Sequence, residues 1–197
     1  MPVLDDPDYL DAGLTDIGNL ISGIHPEQWG QPTPCDMWDV RTVASHITGM
    51  NLVFATLLAG KPTPERMTID DADQAAAYTT SAVQLSRSFR EPGVLEREFG
   101  GPLGARTGRD RLWIRMYDLL AHGWDLGRAT GQHIGVPDSI AERALRFAEH
   151  QVDTMPRDGR FNPPQPVTQQ APPIDSLAAF LGRDVSWLPK SLHGTDR

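Results

Sequence analysis

The sequence predicts an all-α protein, an up-and-down bundle of helices closed by a proline-rich C-terminal strap. Three observations predict it. Apolar residues recur at three- and four-residue spacing along most of the chain, which is the period of a helix face. The breaks between these stripes carry Pro and Gly, the residues that stop and start helices. The length of 197 residues suits one domain with a full hydrophobic core.

The first helix carries Leu10, Leu14, Ile17, Ile21 and Ile24 on one stripe and ends before His25-Pro26. A turn-rich stretch from Gly30 to Pro34 comes next. Asp39 is a suitable N-cap for the second helix, whose stripe runs Val40, Val43, Ile47, Met50, Phe54, Leu57 and Leu58 to a stop at Gly60. The third helix is expected from about Asp71 to Phe89, and the glycine-rich segment 94–108 as a loop or irregular hairpin. The fourth runs from about Asp110 to Ala129, burying Leu112, Met116, Leu119, Leu120 and Gly123, with Trp113 and Trp124 beside them. Pro137 at the first helical position opens the fifth, with Ile140, Ala144, Phe147 and Ala148 as its stripe. Six prolines between Pro156 and Pro173 cannot sit inside a helix, so that segment is a surface strap. Ile174, Leu177, Phe180 and Leu181 then form a short amphipathic helix. Trp187 is an anchor for the C-terminal segment, and the tail 190–197 is expected to fray.

Composition narrows the function classes. Eighteen Lys and Arg against twenty-six Asp and Glu give a net charge of −8, which argues against a phosphate-backbone partner. Cys35 is the single cysteine, so an intramolecular disulfide and a multi-cysteine metal site are excluded and a reducing compartment is the simplest setting. The N-terminal residues are acidic, unlike a secretory signal. No stretch approaches the ~18 apolar residues of a membrane span. The expectation is a cytoplasmic protein with a small-molecule substrate, no nucleic-acid or membrane partner, and a homodimer as the conceivable assembly.

Two histidines stand out. His46 falls among Val43, Ile47 and Met50 on the inward face. It is either a core histidine satisfied by a carbonyl or carboxylate, or a metal ligand. The fourth helix carries Arg111, Arg115, Asp118, His122 and Asp125 on one stripe. Asp118 and His122, four apart, meet on one face. They are either two ligands of one ion, with Asp125 supporting a ligand from behind, or part of a solvated face with an Arg115–Asp118 ion pair. One His on the second helix with an acid and a His on the fourth is how bundles build metal sites. His25, His133, His150 and His193 read as surface residues. Cys35, just ahead of the second helix, is either a reactive thiol activated by the helix N-terminus or a small, partly buried side chain.

The segment Thr33-Pro34-Cys35-Asp36-Met37-Trp38-Asp39-Val40-Arg41, followed by His46, resembles the opening motif of the mycothiol-dependent maleylpyruvate isomerase-like, DinB-related metal-binding proteins. Asp118 followed by His122-Gly123-Trp124-Asp125-Leu126 resembles their second motif, and Leu181-Gly182-Arg183-Asp184 with Trp187 their ending. The resemblance implies a DinB-like four-helix bundle, here with an added helix and the strap. It implies a divalent ion, zinc or nickel, held by His46, Asp118 and His122. The acid is Glu in this branch and Asp here. Being one methylene shorter, Asp118 draws the ion closer to the fourth helix or reaches it through water.

These readings give a metal-dependent thiol transferase or isomerase acting on a small electrophile, with mycothiol as the thiol the resemblance implies. Residues 1–155 would form the metal-binding bundle, and residues 156–197 the strap and short helix packed on the same domain. His46, Asp118 and His122 would hold the metal, Asp125 would fix a ligand tautomer, and Arg111 or Arg115 would receive an acidic substrate. The alternatives are a metal- or small-molecule-binding protein that sequesters without turnover, or a metal-free cyclase or isomerase using His46 and Asp118 as base and acid. Metal affinity is expected to fall between about pH 7 and pH 5, around the ordinary histidine pKa.

Overall fold

The computed structural model describes residues 6–64, 66–69, 72–101, 104–152, 157 and 161–189. Among the described residues there are six α-helices: α1 Asp6–Ser22, α2 Val40–Leu58, α3 Gln74–Phe89, α4 Gly108–Thr130, α5 Asp138–Val152 and α6 Pro173–Phe180. A 3-10 turn spans Pro26–Gln28. The glycine-rich segment before α4 is a hairpin of two-residue strands, β1 Glu98–Phe99 and β2 Arg106–Thr107. The expected helix ends hold to within a few residues. Asp39 caps α2, accepting a hydrogen bond from Thr42 N. The start of α3 is set by Asp73, which accepts from Ala76 N; Asp71 lies outside the described residues, as does the tail 190–197. Thr107 and Asp110 form a reciprocal capping box at α4, so the helix starts slightly earlier than the apolar stripe alone indicates. Pro137 sits one residue ahead of α5 rather than inside it.

Helices α1 to α4 pack as a bundle in which α1 and α2 each contact both α3 and α4. Their directions depart from simple alternation. Ser45 with Gln74 and Asn51 with Ser81 pair in the same sense along α2 and α3, so these two run parallel. Leu14 with Tyr78 and Asp8 with Arg90 pair in opposite senses, so α1 and α3 are antiparallel. The order is up, down, down, up. The reason lies between α2 and α3, where the described residues 66–69 lie back along α2 and Ile69 N donates to Ser45 O. Gly49 makes the crossing possible, because a Cβ there would overlap the backbone of Met67.

Helix α4 is the central element. It contacts α1, α2, α5 and α6, and is buried on nearly every side. The stripe of Arg111, Arg115, Asp118, His122 and Asp125 therefore faces inward, and the solvated-face reading of it fails. His25, His133 and His150 are exposed, as expected, and His193 lies outside the described residues. Helix α6 packs on α4 and α5, with Trp124 Nε1 donating to Asp175 Oδ1 at 2.7 Å. Trp187 packs against the core. The 155/156 division falls outside the described residues. Among the described residues no helix is long and apolar enough to cross a membrane.

Candidate metal centre

Helix α2 delivers His46 and helix α4 delivers Asp118 and His122 to one point. Asp118 Oδ1 lies 3.6 Å from His122 Nε2 and 3.9 Å from His46 Nε2. The two histidines are almost fully buried, while a quarter of the Asp118 side chain faces a cavity. The other carboxylate oxygen, Oδ2, accepts from Arg115 Nη1 at 2.7 Å. That bond turns Oδ1 toward the histidines.

A second carboxylate stands behind. Asp125 Oδ2 is 3.0 Å from His122 Nδ1, which leaves Nε2 pointing at Asp118. Asp125 is fully buried and is itself held by Arg183, whose Nη2 donates to Oδ2 at 2.9 Å and Nε to Oδ1 at 3.3 Å. Gly182 makes this reach possible. Its φ of +91° lies in the left-handed region, so the chain turns sharply after α6 and brings Arg183 back to α4.

The loop before α2 roofs the pair. Thr33 Oγ1 donates to Trp38 O at 2.8 Å and accepts from Cys35 N at 3.2 Å. Trp38 N donates to Cys35 O, closing a tight turn with Met37 at φ +67°. The turn lays the Trp38 ring 4.8 Å from His46 and 5.6 Å from His122, nearly parallel to the latter. Cys35 is partly buried, and its sulfur clusters with donor atoms of His122 and Asp125 within 4.8 Å. Arg183 engages both oxygens of Asp125, whereas Arg115 engages only Oδ2 of Asp118, which leaves His46, Asp118 and His122 as the better donor set.

The two histidines are tuned in opposite directions. Burial pushes His46 below the usual imidazole value, against the pull of Asp118. Burial also opposes a charge on His122, but hydrogen bonds with Asp125 and Cys35 and the charge of Asp118 outweigh it and push the pKa up to about 9. For Asp118, burial is outweighed by the hydrogen bond with His46 and the charges of His122 and Arg115, which hold it well below the usual carboxylate range.

The residues present fit a divalent ion. Two imidazole nitrogens and one carboxylate oxygen converge within 4.8 Å of one another, close to the roughly 3.3 Å donor spacing around a tetrahedral zinc with ~2.0–2.1 Å bonds. Arg115 occupies only the other Asp118 oxygen and Asp125 only the other His122 nitrogen, so Oδ1 and both Nε2 atoms face one point, where His122 would ligate on giving up its proton. A set of two histidines and one carboxylate leaves further positions open.

The centre lies at one end of a cavity of about 490 Å³. Met50, Val53, Phe54 and Leu57 of α2 face Ile114 and Tyr117 of α4 along its length. Arg111 lines it and Arg115 does not. The substrate-binding role expected of Arg115 does not fit its position: its donors go to Asn51 Oδ1, Ile47 O and Asp118, and the side chain is completely buried. Arg183 is a site residue that periodicity and spacing do not single out. Its only signal is its place in the C-terminal motif.

Residues 10–127 match the family model described as "Mycothiol maleylpyruvate isomerase N-terminal domain". Two uncharacterized proteins of Mycobacterium tuberculosis, from strains CDC 1551 / Oshkosh and ATCC 25618 / H37Rv, are each 32% identical over 168 residues, covering 84% of this chain and 91% of theirs. The crystal structure of the mycothiol-dependent maleylpyruvate isomerase superposes with a TM-score of 0.58 at 17% identity, over 74% of this chain and 68% of that one. A point mutant of that enzyme, with a histidine changed to alanine, gives 0.59 at 15% identity, over 77% and 70%. These superpositions establish a shared helical fold. With more than half of its length matched, the chain belongs to the mycothiol maleylpyruvate isomerase N-terminal domain family.

Proposed function

We propose that this chain is a metal-dependent isomerase or S-transferase that joins a low-molecular-weight thiol, mycothiol by family precedent, to a small electrophile. The observation that carries this reading is the convergence of two histidine Nε2 atoms and one carboxylate oxygen on the wall of a cavity lined by both apolar and polar residues. A divalent ion held by His46, Asp118 and His122 supplies Lewis acidity and lowers the pKa of a bound thiol.

The chain's own residues do the rest. Arg115 fixes the Asp118 carboxylate and keeps it ionised. Asp125, steadied by Arg183, holds the His122 ring in one orientation. Trp38 covers both rings and excludes water from that side. The apolar walls of α2 and α4 lower the local dielectric, which strengthens each of these interactions. A cytoplasmic location goes with this reading, because a reduced thiol partner and an unpaired Cys35 suit a reducing compartment.

Elemental analysis of untagged protein, followed by turnover assays with a thiol panel and unsaturated or oxo electrophiles, tests the proposal. About one ion per chain and turnover that needs both ion and thiol are expected. Metal without turnover across the panel favours the sequestering alternative. Turnover unaffected by chelator favours a metal-free reaction and refutes the proposal.

A further inference from the structure

The end of the cavity opposite the metal centre is also built for a ligand. Helices α2 and α4 run antiparallel along it, since His46 and Ile47 meet Asp118 and Arg115 while Leu57 meets the Arg111 end. Gly101 marks that far end. A Cβ there would lie 3.2 Å from the Arg111 guanidinium and 3.5 Å from Leu57. Met50, Val53 and Phe54 line one side between the two ends and Ile114 the other, while Asp36, Thr63, Arg66 and Asn162 add polar groups elsewhere on the wall.

Arg111 is only 2% exposed. Its Nη2 donates to Phe99 O at 3.0 Å and Gly104 O at 2.7 Å, so the hairpin before α4 clamps the guanidinium in place. Its Nε is buried and has no partner among the described residues. No carboxylate is paired with it by a salt bridge within 4 Å among the described residues, unlike Arg90, Arg109, Arg115, Arg143 and Arg183. A buried guanidinium with an idle donor, on the wall of a cavity, is a receptor for an anion.

Arg111 and Asp118 are seven residues apart on one face of α4, a separation of about 10.5 Å along the helix axis. We propose that the cavity takes a monocarboxylic acid with an extended apolar body, its carboxylate on Arg111 and its reactive carbon about 10 Å away at the Asp118 end. This deepens the function proposed above by naming the class of electrophile, and it rests on that reading for the reaction though not for the binding. A short dicarboxylic acid cannot reach both ends. A chain of medium length, or an aryl group on a short linker, can fill the apolar stretch between them.

The test is calorimetric titration of the full chain with a ligand series, run in chelator so that no metal can take the carboxylate. Octanoate and decanoate should bind. Octanamide should bind at least about tenfold more weakly, because a charge-assisted hydrogen bond is lost. Maleate and butyrate should bind more weakly than octanoate. In Arg111→Gln the difference between acid and amide should vanish while octanamide binds as before. If that variant does not fold, the series on the parent chain decides alone. Equal affinity for octanoate and octanamide, indifference to chain length, or acid binding only when metal is present each overturns the proposal. Because the titration is metal-free, a protein that proves to carry no ion would defeat the metal-centred function and leave this assignment standing.

Discussion

Loading a divalent ion onto this centre should release close to one proton at neutral pH, and the affinity should climb until about pH 9. The reason is the opposite tuning of the two histidines. His46 is pushed down by burial and is neutral at pH 7. His122, with its pKa pushed up to about 9, carries a proton there. A histidine must be neutral to ligate. Below the pKa of His122, each pH unit therefore costs about 1.4 kcal/mol, a factor of about ten. From pH 7 to pH 9 the affinity should rise by about a hundredfold. An unperturbed imidazole would place the change between about pH 7 and pH 5, the window expected from sequence. Zinc titrations of chelator-stripped protein in buffers of different ionisation enthalpy count the protons. We expect about one per ion at pH 7, falling toward zero above pH 9. No proton release at pH 7, with flat affinity from pH 7 to 9, would show that His122 is either uncharged or not a ligand.

Other variants probe the remaining donors. His46→Ala should lose the metal while far-ultraviolet circular dichroism stays helical, since alanine suits a helix interior; full occupancy would remove His46 from the ligand set. Asp118→Ala should weaken metal binding strongly and Asp118→Glu should retain it, and parent-like affinity in Asp118→Ala would reduce Asp118 to a partner of Arg115. Cys35→Ser should leave the metal content unchanged, because the Cys35 cluster already holds the Arg183 cation; metal loss would make the thiolate a ligand. Arg183→Met leaves Asp125 buried beside His122 without its guanidinium, and should lower unfolding stability by about 3 kcal/mol in urea melts.

Much of this was legible in the sequence, for reasons that can be located. The apolar stripe of α1 gave its buried face because that helix has one face on the core. Asp39 and Gly60 gave the ends of α2 to within two residues because capping is local chemistry. His46 and the Asp118/His122 pair could be brought together because residues four apart share a face and a bundle has few ways to face two helices. Two features resisted. The direction of α3 depends on residues 66–69 lying back along α2, a choice fixed by Gly49 under Met67, which no periodicity reports. The burial of the charged stripe on α4 was hidden because a helix surrounded on all sides buries its polar face too. Arg115 shows the consequence. On an amphipathic reading it is free to bind substrate, whereas the packed helix commits its donors to Asn51, Ile47 and Asp118.

The charges around the centre also bear on what a fourth ligand must be. Two buried carboxylates, Asp118 and Asp125, face two guanidiniums, Arg115 and Arg183. With His122 protonated, these two carboxylates face three cations of the described residues, Arg115, Arg183 and His122. On the proposed reading, exchanging that proton for a divalent ion adds a further positive charge in a largely buried setting, where unbalanced charge is costly. A neutral fourth ligand leaves that charge in place. An anionic one removes it, and a thiolate is the anion whose sulfur suits such an ion best. Arg111, two helical turns away, is too far to contribute to this balance and remains available for a carboxylate of its own. On the two proposals together, the cavity would separate two anion preferences: a soft one at the histidine end and an oxygen-based one at the hairpin end.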